Sequence, residues 1–85
     1  MTYKIKLHPQ VHKFIEKLDQ NIAERIRKRL KLLENEPFRY LEHYESQTFF
    51  KFRIGEYRAL IDVDTMRFTI FIRVLDHRSK IYKRN

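Results

Sequence analysis

Cysteine is absent from the 85-residue chain, so it has neither disulfides nor thiolate chemistry, as suits the reducing cytoplasm. Its single glycine, Gly55, leaves no glycine-rich loop of the kind that cradles phosphates. With only two prolines, Pro9 and Pro37, and no low-complexity stretch or repeat, no linker divides it, and it reads as one small domain over residues 1–85. No apolar run approaches the roughly 18 residues a membrane span needs, and no signal-peptide pattern opens the sequence. Neither insertion nor secretion is therefore expected, and the expected location is cytoplasmic. Acid is also in short supply. Eleven Asp and Glu face nineteen Lys and Arg, a net charge of +8, which points to nucleic acid or another polyanion as partner. A hydrophobic content of 42%, with 14% aromatics, excludes a disordered basic tail.

The most informative stretch is Phe50-Lys51-Phe52-Arg53-Ile54-Gly55-Glu56-Tyr57-Arg58. Phe50, Phe52 and Ile54 alternate with Lys51 and Arg53, so a strand sends the apolar side chains to one face and the cations to the other. Gly55-Glu56 suits a two-residue type II′ turn, which would set Ile54 opposite Tyr57 and Arg53 opposite Arg58. Like charges facing each other cost a few tenths to ~1 kcal/mol, and a fold alone has no use for them. Two readings stay open: a solvated outer face, or a site for an anion. A second tight turn at Asp64-Thr65 would pair Asp62 with Arg67 and gather Lys51, Arg53, Arg58, Arg67, Phe71 and Arg73 on one face. Cations beside an aromatic ring suit a single-stranded nucleic acid, the cations for phosphate and the ring for base stacking. Phe71 could equally pack under a loop.

Elsewhere, Tyr3, Ile5 and Leu7 alternate with lysines as a short strand. Pro9 suits a helix start, and Val11, Phe14, Ile15 and Leu18 follow at helical spacing. Asn21 and Glu24 resemble a capping box ahead of a second helix striped by Ile22, Ile26, Leu30 and Leu33, ending before Pro37. The segment 38–47 reads as irregular. The expected architecture is α+β, in the order β-α-α-β-β-β, with an antiparallel sheet and two N-terminal helices packed on one face. His8 and His12 lack an evident third ligand, and Asp62 and Asp64 are better read as an ion-pair partner and a turn residue than as a metal pair. No metal site is expected. The tail after the last strand, Asp76-His77-Arg78-Ser79-Lys80-Ile81-Tyr82, combines an imidazole, cations and a phenol.

The Gly55-x-Tyr57-Arg58 hairpin, the apolar hairpin after it and the closing His77-Arg78-x-x-Ile81-Tyr82 resemble the RelE-type toxins of the RelE/ParE toxin–antitoxin superfamily. The resemblance covers nearly the whole chain. It implies a ribosome-dependent endoribonuclease that uses no metal or other cofactor, cuts mRNA in the decoding site and is held inactive by a RelB-like antitoxin. Carried over by motif, Lys51, Arg53, Arg58, Arg78 and Tyr82 become the expected catalytic residues, and Arg67, Phe71, Arg73, His77 and Lys80 the expected RNA contacts. Cleavage without metal needs the 2′-hydroxyl deprotonated, the phosphorane charge neutralised and the leaving oxygen protonated. Arg58 and Arg78 suit the charge role, since guanidinium grips phosphate oxygens bidentately. Lys51 or Tyr82 would act as base or acid if surrounding cations favour its deprotonated form, and His77 is a further candidate. A ParE-like poison of DNA gyrase, which shares the fold, and a non-catalytic RNA binder are the alternatives.

Overall fold

The computed structural model of the protein describes residues 2–43 and 49–81. Its elements run β1 (Lys4–Leu7), α1 (Pro9–Glu16), α2 (Gln20–Lys31), a 3₁₀ turn (Leu32–Glu34), α3 (Pro37–Tyr40), β2 (Glu42–His43), β3 (Phe50–Ile54), β4 (Tyr57–Asp64), β5 (Thr69–His77) and α4 (Arg78–Ile81). The strands form one five-stranded sheet in the order β1-β5-β4-β3-β2. The α+β class and the expected order of helices and long strands stand, with α3 and β2 added around the segment read as irregular and α4 added in the tail.

Local chemistry sets both helix starts. Pro9 opens α1, and the His8 ring accepts a hydrogen bond from the Gln10 amide at 3.1 Å. His8 is thus a cap, and His12 pairs with Glu16 at 3.4 Å one turn on. The cap of α2 is Asp19, whose carboxylate accepts from the Asn21 amide at 2.9 Å. This displaces the Asn21 box by two residues, because an Asp outside the helix satisfies an orphan amide as well as an Asn does. Val11 and Ile15 of α1 and Ala23, Ile26 and Leu30 of α2 are buried against Phe52, Ile54, Ala59, Ile61, Ile70, Ile72 and Leu75 of the sheet. The two helices therefore cover one face of the sheet and leave the other uncovered.

The strand pairings decide which side chains reach that uncovered face. The β3–β4 register is as expected, with Ile54 opposite Tyr57 and Arg53 opposite Arg58. Gly55 sits at φ +60 while Glu56 is not left-handed, as a type II′ turn requires. The β4–β5 turn is longer than expected: residues 65–68 form it, and Asp64 faces Thr69. The Asp64 carboxylate draws the chain round by accepting from the Met66 and Arg67 amides, both at 3.0 Å, and Phe68 closes the loop at φ 49. The pairing of Asp62 with Arg67 is therefore corrected. Asp62 faces Phe71 and its carboxylate meets Arg73, while Arg67 lies 3.8 Å from Asp64. A bulge between Leu60 and Ile61, with Arg73 as the unmatched residue, then turns Leu75 rather than Val74 into the core.

The expectation of an antiparallel sheet also needs correction at one edge. β1 runs parallel to β5, Lys4 beside Thr69 through Leu7 beside Ile72. The helical pair carries the chain from β1 across the sheet to β2, and the antiparallel run from β2 to β5 then brings β5 back beside β1 in the same direction. Among the described residues no helix is long and apolar enough to cross a membrane.

Phe52 is fully buried and its ring lies under the Arg29 guanidinium at 5.2 Å. Replacing it leaves a cavity beneath α2. Phe52→Ala should cost about 3–5 kcal/mol in urea unfolding, most of the stability of so small a domain. A loss below about 1 kcal/mol would mean that the helices do not depend on this contact.

Candidate nucleic-acid interface

The uncovered face follows from strand alternation. Across its turn end, Arg53, Arg58 and Asp76 lie side by side on β3, β4 and β5. Two residues further along, Glu42, Lys51, Leu60 and Val74 form the next row. Beyond the bulge come Asp62, Phe71 and Lys6, with the Lys6 ammonium 6.0 Å from the Phe71 ring centre.

The expected opposition of Arg53 and Arg58 is present, and the side chains relieve it by turning apart. Arg53 reaches outward to Glu42, Nε to Oε2 at 3.1 Å. Arg58 folds back over the turn, and its Nη1 donates to the Gly55 and Tyr57 carbonyls at 2.8 and 2.9 Å. On its other flank stands Asp76, which is only 6% exposed and whose carboxylate accepts from the His77 amide at 2.8 Å. Lys51 is half-buried between Glu42 and Leu60 in the register.

The turn also anchors the tail. The Arg78 amide donates to the Glu56 carbonyl at 2.7 Å, joining the start of α4 to the β3–β4 turn. His77 Nε2 faces the Glu56 carboxylate at 3.7 Å, while its Nδ1 lies 2.9 Å from the Ser79 hydroxyl and accepts from the Ser79 amide at 3.2 Å. This suits a tautomer with the proton on Nε2. The Tyr57 ring packs edge-on against both Phe14 and His77, with centroids 6.1 and 5.8 Å apart. Arg53, Arg58, His77, Arg78 and Lys80 thus belong to one end of the sheet, with Lys51 one step along it. What this end offers chemically on the uncovered face is the guanidinium groups of Arg53 and Arg58, suited to gripping a phosphodiester, while the His77 imidazole lies on the helix-covered side against Tyr57.

Other expected residues lie elsewhere. Arg67 is in the turn at the opposite end, beyond Asp64, which at about 3.3 Å per residue is roughly 23 Å from Tyr57. Phe71 and Arg73 lie between the two ends, Phe71 beside Lys6 and Arg73 bound to Asp62. Tyr82 lies outside the described residues. Among the described residues no group of His, Asp or Glu is placed to hold a metal ion. The sequence reading passed over Glu42, and took Glu56 only as a turn residue and Asp76 only as part of the tail.

Arg53 and Glu42 are both partly exposed, with side-chain accessibilities of 61% and 45%. Their coupling in a double-mutant cycle of Arg53→Ala and Glu42→Ala should be ~0.2–1 kcal/mol and weaken with salt. A larger, salt-insensitive coupling would show a desolvated pair that a ligand phosphate could not open.

A family model for the ParE toxin of type II toxin–antitoxin systems, parDE, matches residues 5–81. Among solved structures, the RelBE2 toxin–antitoxin complex of Mycobacterium tuberculosis holds a chain similar over 92% of this one and 100% of its own length, at 26% identity and a TM-score of 0.79. The archaeal RelE–RelB complex of Pyrococcus horikoshii matches over 94% and 99%, with 29% identity and a TM-score of 0.76. The isolated RelE toxin of E. coli, at 20% identity and a TM-score of 0.71 over 95% and 92%, shares the fold. No curated protein matches the chain.

Proposed function

The chain belongs to the ParE toxin family of type II toxin–antitoxin systems, and within that family we propose that it is a RelE-type endoribonuclease, cutting mRNA in the ribosomal decoding site without metal. The observation that carries this reading is the turn end of the uncovered sheet face, where Arg58 adjoins Arg53 and the turn holds the backbone amide of Arg78. The solved neighbours named as RelE toxins support it.

In the proposed reaction the ribose 2′-oxygen attacks the adjacent phosphorus. The 2′-oxygen–phosphorus bond forms and the bond to the 5′-oxygen breaks, leaving a 2′,3′-cyclic phosphate and a free 5′-hydroxyl. A base takes the 2′ proton and an acid supplies one to the departing oxygen. Arg58 and Arg78 stabilise the phosphorane charge, Arg53 and Lys51 hold flanking phosphates, and Lys51, His77 or Tyr82 moves the protons. The contacts Arg53 and Arg58 make in the free protein are exchangeable. A phosphate offers the same acceptor oxygens as the Glu42 carboxylate and the turn carbonyls, with more charge. His77 and Lys80 lie at the same end as RNA contacts, whereas Arg67, Phe71 and Arg73 are better placed to meet a longer RNA or the ribosome. The partners are thus mRNA, the ribosome and a RelB-like cognate antitoxin, and the place of action is the cytoplasm.

The family model itself favours one second reading, a gyrase poison acting by protein contact. Primer extension on programmed ribosomes and a gyrase supercoiling assay, run on the same preparation, separate the two. Ribosome-dependent cuts should appear with the wild type and fall by about 10²–10³-fold in Arg58→Ala, with supercoiling untouched. Cleavage retained by that variant, or inhibited supercoiling without cleavage, would overturn the proposal.

A further inference from the structure

The parallel placement of β1 brings two further cations to the uncovered face. Lys4 and Lys6 share one side of β1 by alternation, and the register sets Lys4 beside Thr69 and Lys6 beside Phe71. Both lysines are exposed, while Ile5 and Leu7 on the other side are half-buried. Neither lysine has an acidic partner among the described residues. The acid of this row, Asp62, faces Phe71 from β4 and is already engaged by Arg73. Two uncompensated ammonium groups therefore border an aromatic ring in the middle of an open sheet.

Phe71 is 38% exposed, among the large apolar side chains that the domain leaves in solvent, whereas its neighbours Ile70 and Ile72 are fully buried. The strand under the ring is thus fixed by the core, and the ring itself is presented to water. The Lys6 ammonium stands 6.0 Å from the ring centre, at the outer limit of cation–π attraction, so the contact is loose and a phosphate can draw the ammonium away. One row of side chains, with half-buried Leu60 and Val74, separates Phe71 from the row of Arg53 and Arg58. Along β4 the step from Arg58 to Asp62 is roughly 13 Å, a distance that an RNA strand covers in a few nucleotides.

We infer that Phe71 and Lys6 form a second RNA subsite, where Phe71 stacks a base of the strand whose scissile phosphate lies at Arg58, and Lys6 holds the phosphate beside that base. The inference deepens the RNA part of the reading above and concerns where the strand lies, not how it is cut. Aromatic rings on an open sheet face stack unpaired bases of any sequence, and adjacent cations track the backbone. Leu60 and Val74 give the intervening bases an apolar floor. A protein segment is a poor occupant, because a lone ring among Lys4, Lys6 and Arg73 offers it little apolar area to bury.

Fluorescence anisotropy of the purified toxin with a short single-stranded RNA, 2′-O-methylated throughout so that no 2′-oxygen can attack, tests this without reading cleavage. Phe71→Leu should weaken binding by about tenfold and leave its salt dependence unchanged. Lys6→Gln should instead lower the log–log salt slope by about 0.7, the loss of one phosphate contact on a single strand. A single abasic nucleotide moved along the RNA should weaken the wild type most at one position and cost Phe71→Leu nothing further there. Lys28→Gln, the same charge loss on the exposed side of α2, should change affinity by less than about twofold. No binding by the wild type at low salt, equal affinity in Phe71→Leu, or equal losses in Lys6→Gln and Lys28→Gln would overturn the inference. Binding with the expected signatures by a toxin that cuts nothing on ribosomes would uphold the subsite and overturn the nuclease reading; cleavage by a toxin whose RNA affinity ignores Phe71 would do the reverse.

Discussion

A strand can hide only every second side chain, and two amphipathic helices can cover only one face of a sheet. In this chain the hidden half is apolar from Phe52 through Leu75, and α1 and α2 press on it with Val11, Ile15, Ile26 and Leu30. Everything that cannot tolerate burial is thereby forced to the other face, in a row order set by the register. Lys51, Arg53 and Arg58 share that face because Phe52, Ile54 and Ala59 occupy the first. Placing three cations there costs electrostatic energy that the core has to offset.

The molecule manages this cost locally. Glu42 draws Arg53 outward, the carbonyls of the Gly55 turn hold Arg58, and buried Asp76 stands on the flank of Arg58. The same turn, through the Glu56 carbonyl, fixes the start of α4. One glycine at φ +60 thus ties the hairpin, its cations and the tail into a single end of the domain. Under the proposed function the site exchanges its own acceptors for RNA phosphates, and partners that are exposed and individually weak suit that exchange.

The sequence was most legible where a pattern and a turn residue agreed. Alternation from Phe50 to Ile54 with the lone glycine gave the β3–β4 register correctly, and the helices followed from their apolar spacing. It was least legible where side chains redirect the backbone. Asp64 looked like half of a tight turn, but its carboxylate organises a wider one, and this moved Met66 and Arg67 out of the sheet. The bulge at Arg73 has no marker in residue type, so its ion pair with Asp62 could not be read. The parallel placement of β1 depends on where the chain goes after α2, which periodicity does not encode. For the candidate site, Arg58 and Arg78 were identifiable as motif residues, whereas Glu42 and Glu56 matter only through contacts distant in sequence.

The proposed activity depends on where a bound RNA backbone lies. A cryo-electron-microscopy reconstruction of the Arg58→Lys variant on a ribosome carrying uncleaved mRNA would show it directly. The account predicts the decoding-site mRNA backbone against the turn end of the uncovered sheet face, within reach of Lys51, Arg53, residue 58 and Arg78. An mRNA path along the helical face, or at the Asp64–Arg67 end of the sheet, would contradict it.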